Sequence, residues 1–190
     1  MKNNIAIFAS GNGSNAEEII NYFKDHKSVR VALILSNNPK AFVLQRAENH
    51  QIPHYVFSRE HFYKSKMVDE ILKLNNIDFI VLAGFMWLMP GRIVKIYSDK
   101  IINIHPALLP KYGGKGMYGH HVHEAVVQNK EKESGITIHW VNEEYDKGSI
   151  IKQVKCAISP EDSAEELASK VHQLEYEHYP KVIEQAVLGK

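Results

Sequence analysis

The segment IAIFASGNGSN, residues Ile5–Asn15, is the strongest indication of the fold of this chain. Its first six residues are a short apolar run that predicts a buried strand, and the glycine turn, Gly11–Asn15, follows directly. Apolar residues then recur at helical spacing, which predicts a helix over Ala16–His26. This order favours phosphate binding, because glycines let the backbone approach an anion and the first free N–H groups of the helix point at it. Glycine also occurs in such turns only to close them, so that alternative stays open.

The glycine turn differs from a dinucleotide-binding fingerprint. Gly11 and Gly13 are present, but the third glycine would fall at Ala16, where some dinucleotide sites do carry alanine. The second predicted strand, Arg30–Leu35, is followed by Ser-Asn-Asn at residues 36–38 and lacks the acidic residue that would hold an adenosine ribose. The turn therefore favours a phosphomonoester over NAD.

Strands and helices alternate along the chain up to residue 105. The further predicted elements are a helix over 41–50, a strand over 53–57, a helix that begins at Ser58, a strand over 78–84, a helix over 91–97 and a strand over 100–105. Two later strands, Gly135–Val141 and Ile150–Ile158, and a final helix, Ala164–Leu188, complete the pattern. We expect an α/β fold in a single domain, 1–190, with a doubly wound, mostly parallel sheet, a Rossmann-like N-terminal half and an antiparallel C-terminal edge.

Ligands of such sheets bind beyond the carboxyl ends of the strands. Asn103 and His105 lie two positions apart at the end of a predicted strand, so they project from the same face. An amide donor beside an imidazole suits the stabilisation of an oxyanion. The alternative is a strand end with two surface polar residues. Asp146, in the acidic turn Asn142–Gly148, favours the catalytic interpretation, because its carboxylate would raise the pKa of His105.

Two more segments are expected near this edge. The apolar turn, Phe85–Pro90, suits a flat aromatic ligand, although packing under the next helix explains it equally well. The glycine loop, Lys111–Gly119, contains four glycines and is expected to be mobile, and a loop in this place can act as a lid. His120 and His123 follow it on one helical face, but no well-spaced third ligand other than Glu124 completes a metal site, so solvated or substrate-facing histidines are favoured.

Composition limits the function classes. The chain has 190 residues, 44% of them hydrophobic and 24% charged, which indicates a globular protein. A net charge of +1 gives no indication of a nucleic-acid or membrane partner. One cysteine, Cys156, fits a reducing compartment, and neither a signal peptide nor a membrane span is predicted. We expect a cytoplasmic protein that is a monomer or a homodimer.

Three motifs carry a resemblance that extends over essentially the whole chain. Asn-Ile-His-Pro-Ala-Leu-Leu-Pro at 103–110 resembles the signature of the folate-dependent formyltransferases. Residues 135–151, with Gly135, Thr137-Ile138, Trp140-Val141 and Tyr145-Asp146-Lys147-Gly148, resemble the second signature of that family. With the glycine turn, the likeness narrows to members that formylate phosphoribosylglycinamide in purine synthesis.

The resemblance implies a role for each matching position. The catalytic residues would be Asn103, His105 and Asp146. The residues that bind phosphoribosylglycinamide would be Gly11, Asn12, Gly13, Ser14 and Asn15 at the phosphate and Glu175 at the ribose. The folate-binding residues would be Arg59, Met86, Trp87, Leu88, Met89, Asn103, His139, Val141 and Asp146. The formyl donor would be 10-formyltetrahydrofolate, a co-substrate, and no metal is expected.

Some positions depart from the pattern. Trp87 stands where arginine is frequent, Ala107 where serine is frequent and Lys147 where glycine is common. Three alternatives remain: a formyltransferase that acts on methionyl-tRNA, which needs an added RNA-binding domain; a formyltetrahydrofolate deformylase, which usually carries a regulatory domain before the first strand; and a nucleotide-binding module without catalysis. The last would leave Asn103, His105 and Asp146 without a reason.

Overall fold

One seven-stranded sheet organises the protein. A computed structural model describes residues 2–189. The strands are β1 Asn3–Phe8, β2 Val29–Ser36, β3 His54–Val56, β4 Phe79–Leu82, β5 Ile101–His105, β6 Glu133–Trp140 and β7 Ile150–Ala157. Their order across the sheet is β3-β2-β1-β4-β5-β6-β7; the first five are mutually parallel, whereas β6 and β7 are antiparallel to their neighbours. The predicted doubly wound sheet with an antiparallel C-terminal edge is confirmed.

Seven helices surround the sheet in the part of the chain that the structure describes. They are α1 Ser14–Phe23, α2 Val43–Asn49, α3 Arg59–Tyr63, α4 Met67–Leu74, α5 Gly91–Ile96, α6 His120–Gln128 and α7 Ala164–Leu188. Two apolar clusters flank the sheet: one lies under α1, α2, α6 and α7, and the other lies under α3, α4 and α5. Helices on both faces explain why β4 and the Ile5–Phe8 part of β1 are continuously apolar.

The helix predicted from Ser58 is two short helices instead of one. The Ser65 hydroxyl donates to the carbonyl of His61 at 3.0 Å and accepts from the N–H of Met67 at 3.2 Å. Such local side-chain bonds compete with helix hydrogen bonds, so α3 ends before Ser65 and α4 begins after it. As a result Met67, which the sequence placed beside Ile71 and Leu72, is 39% exposed.

The long helix α7 is fixed to the middle of the sheet. Its N-terminus is closed by a reciprocal pair of hydrogen bonds between Ser163 and Glu166. Farther along, the fully buried Tyr179 hydroxyl donates to the carbonyl of Leu82, at the end of β4, over 2.9 Å. Because Glu175 lies one turn before Tyr179, this contact holds Glu175 near the carboxyl edge of the sheet. None of the helices within residues 2–189 has the length and apolarity to cross a membrane.

Candidate active site

A cavity of about 410 Å³ opens at the carboxyl ends of β1, β4 and β5. Its walls come from segments that are far apart in sequence. The lining residues are 11–15, 83–86, 103–106, 114, 116–120, 123, 145, 146, 168, 172 and 175. The glycine turn, part of the apolar turn, part of the glycine loop and the trio Asn103, His105 and Asp146 therefore border one space.

The glycine turn forms one end of this cavity. Gly13 has φ 75°, the left-handed region that favours glycine, and a Cβ at this position would lie 2.5 Å from Val43 Cγ2. Helix α1 begins at Ser14, at the end that borders the cavity, and no side chain caps its first N–H groups. The turn has the main-chain geometry of an anion site.

Glu175 lies under the glycine turn. Its side chain is 5% exposed, and Asn15 Nδ2 donates to its Oε2 at 2.8 Å. Burial raises the pKa of Glu175 to about 7, against the opposing effect of the Asn15 hydrogen bond. A buried carboxyl at this position can accept hydrogen bonds from hydroxyl groups of a ligand in the cavity.

Asn103 is oriented by His139 on the neighbouring strand. In the β5–β6 register Asn103 pairs with His139, whose Nδ1 lies 2.8 Å from the carbonyl oxygen of Trp140 and must donate to it. In a neutral ring, Nε2 then accepts from Asn103 Nδ2 at 3.1 Å. The amide nitrogen retains a second N–H for a ligand. His139 is thus placed behind Asn103 and does not line the cavity.

His105 has a fixed tautomer. Its Nε2 lies 2.7 Å from the carbonyl oxygen of Tyr112, so Nε2 carries the proton, and Nδ1 lies 3.6 Å from Asp146 Oδ2. Burial lowers the pKa of His105, and the His139 ring adds to this, while Asp146 and the Tyr112 carbonyl oppose it. Asp146 acts in the direction that the sequence argument expected, but the net shift of the pKa is downward, because the ring is only 4% exposed and desolvation outweighs the carboxylate.

Asp146 lies between two imidazoles. Its Oδ2 accepts from the N–H of Gly114 at 2.8 Å, and its Oδ1 lies 3.6 Å from His139 Nε2. Burial raises the pKa of Asp146, but the neighbouring His139 and His105 side chains and the Gly114 N–H together lower it below the usual value. Asp146 is therefore an ionised proton acceptor held against the glycine loop at neutral pH.

The predicted folate residues are distributed unevenly. Met86, Asn103 and Asp146 line the cavity, whereas Trp87 packs on Phe57 in the second apolar cluster and Met89 is 2% exposed. The remaining predicted folate residues do not line the cavity: Arg59, whose guanidinium lies 5.5 Å from the rings of Tyr63 and Trp87, together with Leu88, His139 and Val141. Leu88 presents its main chain, since its N–H donates to the Tyr145 hydroxyl at 3.1 Å and its carbonyl accepts from the Tyr63 hydroxyl at 2.9 Å.

Sequence reasoning missed several partners in this site. Arg46, the Tyr112 carbonyl, the Gly114 N–H and the Tyr145 hydroxyl each hold a site residue or a wall of the cavity. A main-chain group leaves no signal in residue type, and Arg46 lies in a helix that gave no motif. Only the fold brings these groups to the site.

The histidines after the glycine loop lie on the far wall of the cavity. His120, His123 and His172 line it, and the buried His123 Nδ1 has no hydrogen-bond partner within residues 2–189. Burial lowers the pKa of His123 to about 4 and also lowers the pKa of His172. In that same range no three His, Cys, Asp or Glu side chains are grouped to hold a metal ion.

Comparison with known proteins gives consistent matches. The family model described as formyl transferase matches residues 3–183. The phosphoribosylglycinamide formyltransferase of Haemophilus influenzae is 37% identical over 191 residues, which cover 98% of this chain and 88% of that protein. The crystal structure of the phosphoribosylglycinamide formyltransferase from Anaplasma phagocytophilum is 33% identical, with a TM-score of 0.90 over 100% of this chain and 89% of that one. The corresponding structure from Bacillus halodurans is 38% identical, with a TM-score of 0.85 over 95% and 93%.

Proposed function

The chain belongs to the formyl transferase family, and on that premise we propose the reaction of its cavity and the residues that perform it. It is a one-carbon transferase of purine biosynthesis. It transfers the formyl group of 10-formyltetrahydrofolate to the amine of 5'-phosphoribosylglycinamide, giving formylglycinamide ribonucleotide and tetrahydrofolate on the route to IMP. The observation that carries the residue assignment is the convergence of Asn103, His105 and Asp146 between the glycine turn and the apolar turn.

The ribonucleotide occupies the glycine-turn end of the cavity. Its phosphate binds to the main chain of Gly11–Asn15 and the first N–H groups of α1, because an anion is favoured at a helix N-terminus. Its ribose hydroxyls donate to Glu175, whose carboxyl is already oriented by Asn15. This placement directs the glycinamide amine toward Asp146.

The folate occupies the other end, between the apolar turn and the acidic turn. Met86 contacts it with a side chain, whereas Leu88 and Met89 contribute their main chain, since the Met89 side chain is buried in the core. Arg59, Trp87, His139 and Val141 form the support behind these walls. A turn that works through its main chain tolerates tryptophan at position 87.

The amine attacks the formyl carbon, the C=O electron pair moves to oxygen, and an oxyanion and an ammonium form together. Asn103 donates its second N–H to the oxyanion. Asp146 accepts the ammonium proton directly or through water. The folate nitrogen is then protonated, its bond to the former formyl carbon breaks, and the C=O bond forms again.

His105 begins this cycle as a neutral ring. Its Nε2–H stays on the Tyr112 carbonyl, so only Nδ1 is free to take a proton, and it faces Asp146 at 3.6 Å. Asp146 passes the ammonium proton to Nδ1, and the imidazolium then donates to the oxyanion and transfers that proton to the folate nitrogen. The proposed steps require no metal.

We propose further that residues 1–190 act as one domain, and the single seven-stranded sheet of the described residues supports this. The protein acts on small molecules, without nucleic acid, as a monomer or a homodimer. A cytoplasmic location is supported by the single cysteine, whose thiol is partly buried and whose pKa is raised by burial.

An absorbance assay tests the function directly. A 10-formyl folate is mixed with the protein in the presence and absence of phosphoribosylglycinamide, and folate product is followed. We expect product only when the amine is present. Equal product without the amine would mean that water is the acceptor and would favour a deformylase. No product in either mixture would favour a binding module.

A further inference from the structure

The glycine turn is held from one side by α2. Two consecutive carbonyl groups of the turn accept hydrogen bonds from it: that of Gly11 from the N–H of Val43 at 3.2 Å, and that of Asn12 from Arg46 Nε at 2.9 Å. Arg46 Nη2 also donates to Asn12 Oδ1 at 2.9 Å. The guanidinium therefore grips both the main chain and the side chain of Asn12, a two-point contact that an ammonium cannot reproduce.

These contacts determine where the turn's N–H groups point. In a planar trans peptide the C=O and the N–H point in opposite directions. Since the carbonyls of Gly11 and Asn12 face α2, the N–H groups of Asn12 and Gly13 face away from it. Among residues 2–189 neither of these two N–H groups donates a hydrogen bond, and both residues line the cavity. Successive main-chain N–H groups directed to one side form a concave anion site.

Arg46 itself is fixed in place. Its Nη1 donates to Glu17 Oε2 at 3.1 Å, Glu17 Oε1 lies 2.7 Å from His50 Nε2, and the guanidinium carbon lies 5.0 Å from the centre of the Phe42 ring. Glu17 offsets the positive charge of Arg46. The side chain thus acts on the turn through the direction of its hydrogen bonds more than through net charge.

We propose that Arg46 is a positioning residue that shapes the turn's two N–H groups into the phosphate site. This inference rests on the proposed function, because it takes the ligand to be the phosphate of the ribonucleotide. Arg46 acts through Asn12 and does not touch the reacting atoms.

Steady-state kinetics and phosphate-ester binding test the role of Arg46. We expect Arg46→Ala and Arg46→Lys each to raise the ribonucleotide KM about tenfold or more, because charge-assisted hydrogen bonds are lost, with kcat within about twofold and the folate KM unchanged. Titration calorimetry with ribose 5-phosphate, in the absence of folate, should show the same loss of affinity. Arg30→Ala is the matched control, since Arg30 Nε also donates to an asparagine, Asn4 Oδ1 at 2.7 Å, but at the amino end of β1.

The outcomes separate the inference from the proposed function. Wild type that binds ribose 5-phosphate while both Arg46 variants bind it equally well would overturn the inference alone. Full activity of Arg46→Lys would overturn the positioning role in favour of charge. Wild type that neither binds nor turns over would overturn the proposed function and the inference with it. If Arg46→Ala does not fold, Glu17→Gln, which keeps Arg46 but removes the charge that fixes it, should raise the same KM by a smaller factor, and an unchanged KM would contradict the role.

Discussion

The glycine turn and the apolar turn follow neighbouring strands, β1 and β4, yet they are built in opposite ways. The glycine turn keeps its main-chain N–H groups free and its carbonyls bound to α2, so it is ready for an anion. The apolar turn packs the side chains of Phe85, Trp87 and Met89 into the second cluster. The main chain of Leu88 is already bonded to two tyrosine hydroxyls. The glycine-turn end of the cavity is therefore preorganised for its ligand. At the apolar turn, a ligand that binds the Leu88 main chain must replace internal hydrogen bonds.

The two turns are joined at Ser10. Its N–H donates to the carbonyl of Gly84 at 3.0 Å, and its hydroxyl accepts from the N–H of Met86 at 3.0 Å. Asn103 and His105 lie beside this junction on β5. The proposed catalytic residues therefore lie between a turn whose N–H groups are already arranged for an anion and a turn whose internal hydrogen bonds a ligand must replace.

The largest effect is expected at that meeting point. Asn103→Ala and His105→Ala should each lower kcat by about 10²–10³, because each removes a donor to the oxyanion. Both KM values should change much less, and stopped assays with pure protein suffice to measure this. His54→Ala, at the far edge of the sheet, serves as the control and should keep full activity. Near-normal turnover of either variant would contradict the assignment.

The next largest effect is expected at Glu175, which lies under the glycine turn. Between pH 4.5 and about 7 the folded protein keeps a proton on Glu175 that the unfolded chain has released. More protons on the folded state mean that the free energy of unfolding falls as pH rises through this window, by on the order of 3 kcal/mol, and levels off above it.

Urea unfolding of wild type and Glu175→Gln across this pH range measures the effect of Glu175. The difference between the two proteins should be pH-dependent and vanish toward the acid end. Glu60→Gln, at an exposed position, is the control and should follow the wild-type curve. If the free energy of unfolding of the wild type does not fall between these pH values, the raised pKa of Glu175 is contradicted.

A pair of glycine substitutions compares the two turns directly. Gly13 and Gly84 have φ 75° and 71°, but a Cβ at Gly13 would meet Val43, whereas a Cβ at Gly84 has nothing within 4 Å. Gly84→Ala should cost about 1 kcal/mol of stability, from the backbone strain alone. Gly13→Ala should cost a further ~1–3 kcal/mol because α2 must shift. It should also raise the ribonucleotide KM and leave the folate KM unchanged. Equal losses in the two variants would remove the distinction between the turns.

The smallest effect is expected at the apolar turn. Tyr145→Phe frees the N–H of Leu88 and should lower the folate KM by up to about fivefold, since a neutral hydrogen bond contributes about 1 kcal/mol. The ribonucleotide KM should not change. Tyr97→Phe also removes a bond between a tyrosine hydroxyl and the main chain, in this case from the hydroxyl to the Ile77 carbonyl at 3.3 Å and outside the cavity, and it should alter neither KM. A higher folate KM in Tyr145→Phe would mean that the hydroxyl holds the folate site open.

Local sequence patterns were sufficient to predict several parts of this protein. The apolar run before the glycine turn predicted β1 and α1, and alternation along the chain predicted the sheet. The spacing of Asn103 and His105 placed them on one face of a strand, because side-chain direction in a strand follows from position alone.

The pKa values and hydrogen-bond partners of these residues depend on the tertiary structure. Three hydrogen bonds join segments that are distant along the chain: Asn103 to His139, Arg46 to Asn12 and Leu88 to Tyr145. The lowered pKa of His105 likewise results from the packing of distant segments around its ring. Desolvation depends on everything that packs around a group, and a main-chain partner has no residue type to reveal it. The direction of the His105 pKa shift therefore could not be predicted from the presence of His105 and Asp146 in the sequence.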